Sequence, residues 1–82
     1  MIPAVLTPVR TGDLLMLRDE DYLFGHGDIW LRVLAVHDIR WVRAEPWIFL
    51  RGRTVWAAHA TRRERDLLVR SEAMRTRRRR GW

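Results

Sequence analysis

The chain contains no cysteine, lysine, asparagine or glutamine, and a single serine. Without cysteine there is no disulfide framework, no thiolate metal site and no thiol nucleophile, so a small core has to be held by packing alone. All sixteen basic residues are arginine. Losing Lys, Asn and Gln together while Arg abounds is what a GC-rich coding sequence produces, so the missing lysine reads as codon bias and not as chemistry. Length is scarce as well: 82 residues make one small domain and leave no room for a full nucleotide-binding fold. No apolar run approaches the roughly 18 residues that cross a bilayer. Residues 1–9 lack a cationic start and are broken by Pro3 and Pro8. No targeting segment is therefore expected, and the expected protein is soluble and cytoplasmic.

What is present is a globular composition, 48% hydrophobic, with a formal charge of +6. The position of that charge matters more than its size. Residues 1–74 carry eleven Arg against ten acids, a net of +1, whereas residues 75–82 carry five Arg and no acid. The expected organisation is one nearly neutral domain over residues 1–74 and a disordered, Arg-rich tail over residues 75–82.

Along the domain, Thr11-Gly12-Asp13 is a turn that feeds the apolar run Leu14-Leu15-Met16-Leu17, of strand length. Residues 19–28, with three adjacent acids and Gly25 and Gly27, read as a loop. From residue 29 to 37 the chain alternates, Ile29, Leu31, Val33 and Ala35 on one face and Trp30, Arg32, Leu34 and Val36 on the other. A turn is expected at Asp38-Ile39, then a strand over residues 40–45 interrupted at Pro46, which has no amide to donate. Trp47-Ile48-Phe49-Leu50 resumes it, Arg51-Gly52-Arg53 reads as a hairpin turn, and residues 54–58 as a short return strand. Residues 61–74 fit two patterns. Thr61-Arg62-Arg63-Glu64 has the form of a capping box that starts a helix, while Arg65-Asp66-Leu67-Leu68-Val69-Arg70 has the length of a closing strand, which is the expectation taken here.

Several short strands with a turn every 8 to 12 residues suggest a small barrel. The opening Arg10-Thr11-Gly12-Asp13-Leu14-Leu15-Met16-Leu17 resembles the first strand of SH3-like barrels, including KOW-type modules. With Leu31-Arg32-Val33-Leu34-Ala35-Val36, Trp47-Ile48-Phe49-Leu50-Arg51-Gly52 and Glu64-Arg65-Asp66-Leu67-Leu68-Val69, residues 10–70 resemble small uncharacterised SH3-like proteins of high-GC bacteria. The KOW glycine motif after the second strand is missing. The resemblance implies an all-β, SH3-like barrel of about five strands, and carries no site residue with it.

No catalytic constellation is visible. His26, His37 and His59 do not share metal-ligand spacing, Ser71 has no histidine near it in sequence, and Asp19-Glu20-Asp21 lacks the spacing of a calcium loop. Gly25-His26-Gly27 precedes a strand and not the helix that a phosphate cradle needs. The expectation is a protein without catalytic residues, metal or cofactor.

The tryptophans are more telling. Trp30, Trp41, Trp47 and Trp56 fall within 27 residues, and a domain this small has little room to bury four indoles. If Ile29, Leu31 and Val33 line the core, Trp30 points outward with Arg32. Tryptophan beside arginine suits peptide grooves and base-stacking platforms alike. The first expectation is thus a non-enzymatic binding module that takes a protein or peptide partner on a surface drawn from Trp30, Arg32, Trp41, Arg43 and Trp47. The second is nucleic-acid binding, in which Arg75, Arg77, Arg78, Arg79 and Arg80 contact phosphates with a log-log salt slope of roughly −4.

Overall fold

The computed structural model describes residues 9–25, 27–57, 63–76, 78 and 79. The all-β expectation holds. Strands β1 (Leu14–Leu17), β2 (Ile29–Val42), β3 (Glu45–Ala57), β4 (Glu64–Arg70) and β5 (Arg78–Arg79) form one antiparallel sheet in the order β4-β3-β2-β1-β5. One helical turn, α1 (Ala73–Thr76), stands between β4 and β5. The sheet curls into a half-barrel. Its closure begins where residues 22 and 23, after β1, reach the outer edge of β4: Tyr22 bridges to Val69, and the Leu23 amide donates to the Leu68 carbonyl at 2.9 Å.

Alternation places the core. Leu15 and Leu17, then Ile29, Leu31 and Val33, then Ile48 and Leu50, then Leu67 and Val69 face the concave side and are buried. Tyr22, Ala73 and Met74 close the ends of this core. Among the described residues no helix is long and apolar enough to cross a membrane.

The longest elements depart from the sequence expectation. β2 does not turn at Asp38 and Ile39: it runs unbroken from Ile29 to Val42 and absorbs extra residues as bulges, Leu34 between the partners of Gly52 and Arg51, and His37 between those of Leu50 and Phe49. The first of these bulges changes the phase, so Ala35 pairs with Arg51 on the outer face and the alternation that starts at Ile29 serves the core only to Val33. The hairpin turn lies instead at Arg43 and Ala44, with φ of 52° and 63°. Two positive φ values in a two-residue loop are the geometry that matches strand twist. Asn-Gly advertises that geometry in a sequence and Arg-Ala does not.

β3 likewise runs through both expected interruptions. Pro46 is accommodated because Val42 and Glu45, flanking the turn, form the hydrogen-bonded pair, so the missing proline donor faces away from β2. The Pro46 carbonyl, on that same side, accepts the Ser71 amide at 3.2 Å. Arg51-Gly52-Arg53 is no turn: Gly52 sits mid-strand, between Val33 of β2 and Arg65 of β4. The strand reading of residues 65–70 holds, with β4 beginning one residue earlier at Glu64, and Thr61 of the alternative capping box lies outside the described residues. Of the basic tail, Arg78 and Arg79 pair with Leu15 and Leu14 of β1, while residues 77 and 80–82 lie outside the described residues.

Candidate functional site

On the outer face of the sheet, Trp30 of β2 stands directly opposite Trp56 of β3. Their rings lie 5.9 Å apart between centroids and are tilted by 50°, a geometry aromatic pairs favour. Val55, the extra residue of a third bulge, sets this match, because Leu31 pairs with Thr54 and Trp30 with Trp56. Met16 of β1 pairs with Trp30 from the other side. Three strands thus offer a row of Met16, Trp30 and Trp56, and the two indoles remain 41% and 43% exposed.

The next outward row carries charge. Arg32 and Arg53 are directly opposed, an unfavourable pairing taken alone. They are drawn apart: Arg32 Nη1 donates to the Gly12 carbonyl at 2.8 Å, and Arg53 Nη2 donates to Glu64 at 2.7 Å. No carboxylate pairs with Arg32 among the described residues. A hollow of about 320 Å³ opens beyond Arg53, bounded by Thr54, Val55, Arg63 and Glu64.

Further along the same face, charges alternate across β3 and β4. Arg51 reaches both Glu64 (3.7 Å) and Asp66 (3.5 Å), and His37 Nε2 donates to Asp66 at 3.1 Å. The hydrogen bond and charge of Arg53 hold the Glu64 carboxyl below the usual carboxylate range. The hydrogen bond from His37, ahead of the charge of Arg51, does the same for Asp66 against partial desolvation. Phe49 lies between, its ring 5.1 Å from the His37 ring and 4.8 Å from the Arg40 guanidinium.

Trp41, Arg43 and Trp47 lie at the other end of β2 and β3, with Trp30 near the start of β2 and Trp41 near its end. Arg43 is exposed in the turn. Trp41, 63% exposed, pairs with Pro46, and Trp47 pairs with Arg40, so the two indoles leave opposite faces of the hairpin. Trp47 and Arg43 line a hollow of about 390 Å³ with Leu23, Val42, Glu45 and Arg70, across which Arg70 bonds Glu45 at 3.0 Å. The five residues expected to share a surface therefore do not: Trp47 and Arg43 line the hollow at the far end, Trp41 lies on the other face, and Trp30 and Arg32 stand apart from all three. Trp56 and Arg53 join Trp30 and Arg32.

Trp56 carried a signal, since it lies on a strand among other tryptophans. Its pairing with Trp30 was hidden by the misplaced turn. Phe24, 91% exposed with φ 58°, is a second large aromatic that no sequence pattern marked. The remaining candidates have structural surroundings. Asp21 is buried and accepts the Arg18 amide at 2.8 Å, closing the 3-10 turn Asp19–Asp21 within the expected loop. Gly27 has a positive φ and its carbonyl accepts the Tyr22 hydroxyl at 2.6 Å. Ser71 is buried beside the start of α1. Among the described residues no group of three metal-ligating side chains converges. His26 and His59, and the side chains of Arg75, Arg77, Arg78, Arg79 and Arg80, lie outside the described residues. No protein-family model, curated protein or solved structure matches the chain.

Proposed function

We propose that the protein is a binding module that takes a peptide or protein partner on the outer sheet face formed by Trp30, Trp56 and Arg32. The observation that carries this is the pairing of two indoles, each about two-fifths exposed, on rigid neighbouring strands. Flat amphipathic rings held by a sheet lose little side-chain entropy on binding. Burying what they still expose, on the order of 150–200 Å², contributes about 4–5 kcal/mol before association costs. That alone is too little for a stable complex, so a partner needs a polar contact as well. Arg32 supplies one, because its guanidinium has no carboxylate partner among the described residues. The favoured ligand is an extended segment with an apolar side chain or proline ring for the indoles and a carboxylate for Arg32.

Panning a random displayed-peptide library on the full chain tests this. The expected result is enrichment of an apolar or proline residue beside Asp or Glu, lost in Trp30→Ala and in Trp56→Ala and weakened in Arg32→Glu. Circular dichroism verifies that each variant is folded. Enrichment that is indifferent to both indoles rejects the surface. Binding of a random duplex with a steep salt slope, abolished by deleting residues 75–82, assigns recognition to the basic tail instead.

A further inference from the structure

Among the described residues, one long edge of the sheet has no partner strand. β1 reaches β2 only as far as Val33, through the Gly12 amide to the Val33 carbonyl (2.7 Å) and the Val33 amide to the Asp13 carbonyl (2.9 Å). Beyond that point, residues 34–42 of β2 have β3 on one side and no strand on the other among the described residues. The two-residue turn at Arg43 and Ala44 fixes which backbone groups are left over. Val42 with Glu45, and Arg40 with Trp47, form the hydrogen-bonded pairs, so the N–H and C=O groups of Ile39 and Trp41 point away from β3, along the open edge.

This edge is suited to accept a strand. After the bulge at His37, residues 38–42 pair with residues 45–49 in unbroken register, with no further bulge to twist the edge away. No proline stands on it, and its two charged residues, Asp38 and Arg40, are of opposite sign. Ile39 and Trp41 lie on the concave face, in phase with the buried Ile48, and Val36 pairs with the buried Leu50 on that same face. Val36 is 44% exposed and Trp41 63%, so an apolar strip runs along the open seam of the half-barrel.

The charges identify the occupant. Asp38 and Arg40, both on the outer face and both exposed, lie on either side of Ile39, 3.2 Å apart at their charged atoms. We propose that a second copy of the chain occupies this edge, antiparallel and centred on Ile39. A twofold axis there sets Ile39 opposite Ile39 of the second copy. It also sets Asp38 of each copy opposite Arg40 of the other, so two charge pairs form at once. A shift of one residue puts outer side chains against inner ones, and centring on Arg40 opposes two guanidinium groups. The concave faces become continuous, and Trp41 of each copy comes diagonally beside Ile39 of the other. The contact is short for a standard interface, so a weak dimer is expected.

Sedimentation equilibrium of the full chain, from about 10 μM to about 1 mM, reads the association. The expected result is a concentration-dependent dimer. Asp38→Arg weakens it at least about tenfold by opposing like charges, and Asp38→Arg combined with Arg40→Asp restores it. Because the chain has no cysteine, Ile39→Cys gives an independent reading: opposed strand positions are close enough for a disulfide, so this variant links to itself on oxidation while Glu72→Cys does not. Trp56→Ala, which alters the proposed recognition surface, leaves the dimer intact. A monomer throughout the range, a dimer indifferent to the charge reversal, or one that the double exchange fails to restore overturns the proposal. Equal cross-linking of the two cysteine variants does so as well.

Discussion

Gly52 of β3 lies against Leu31 of β2 with no room for a methyl group between them: a Cβ on Gly52 would stand 2.5 Å from Leu31 Cγ. Leu31 is completely buried, so it cannot swing aside into solvent. The glycine is therefore a packing residue of the central sheet. Gly52→Ala is expected to destabilise the protein by about 1–3 kcal/mol, the usual cost of overpacking a core. Thermal unfolding followed by circular dichroism measures it, and an unchanged midpoint means that the core beneath β3 has space to spare.

The opposite result is expected at the tip of the hairpin. Arg43 and Ala44 both occupy the left-handed region, which costs a residue with a Cβ roughly 1 kcal/mol each. Asn and Gly adopt it readily, although glycine returns part of the gain by loosening the unfolded chain. The double change Arg43→Asn and Ala44→Gly is thus expected to raise stability by about 1 kcal/mol, read from denaturant unfolding. A lowered midpoint would show that the Arg43 side chain holds the turn through its neighbours.

Trp30 and Trp56 meet across the ladder, and their interaction is separable from burial. A double-mutant cycle with Trp30→Ala and Trp56→Ala is expected to yield a coupling of about 0.5–1.5 kcal/mol. Strictly additive effects would mean that the rings are neighbours without an energetic contact.

Acid should weaken the outer face. Glu64 and Asp66 both have lowered pKa values, through Arg53 and His37 respectively. For a carboxyl whose folded pKa is depressed, the linked stability is fully present above the unfolded value and is lost as pH falls through the folded one. The melting temperature is therefore expected to fall below about pH 4. The drop should be smaller in the combined variant Glu64→Gln and Asp66→Asn. Because both groups are exposed, added salt should reduce the effect at neutral pH, and a variant that tracks the wild type through the acid range removes these pairs from the account.

Much of the architecture was readable from residue order. Leu14-Leu15-Met16-Leu17 after Gly-Asp, the alternation that begins at Ile29, and Leu67-Leu68-Val69 each formed the expected strand, because one-sided burial leaves a period of two in the sequence. The turns depart from the local sequence pattern for a common reason. Gly52 and Pro46 are local punctuation in most chains, yet here Gly52 answers a packing demand from Leu31, and Pro46 sits where no amide is needed toward β2. The true turn uses residues without turn chemistry, stabilised by the ladder on either side of them. Moving that turn re-registers β3 against β2, and with it the neighbours of Trp30, Trp41, Trp47 and Trp56.

The sequence by itself determined the class of fold, the outward direction of Trp30 and Arg32, and the concentration of the net positive charge in residues 75–82, since burial on one face and charge along the chain are written residue by residue. Only the tertiary structure decided that Trp56 and not Trp41 stands beside Trp30, and that among the described residues no strand covers the second edge of residues 34–42. Both follow from strand register and bulges, which arise from pairing between distant segments and have no local trace in the chain.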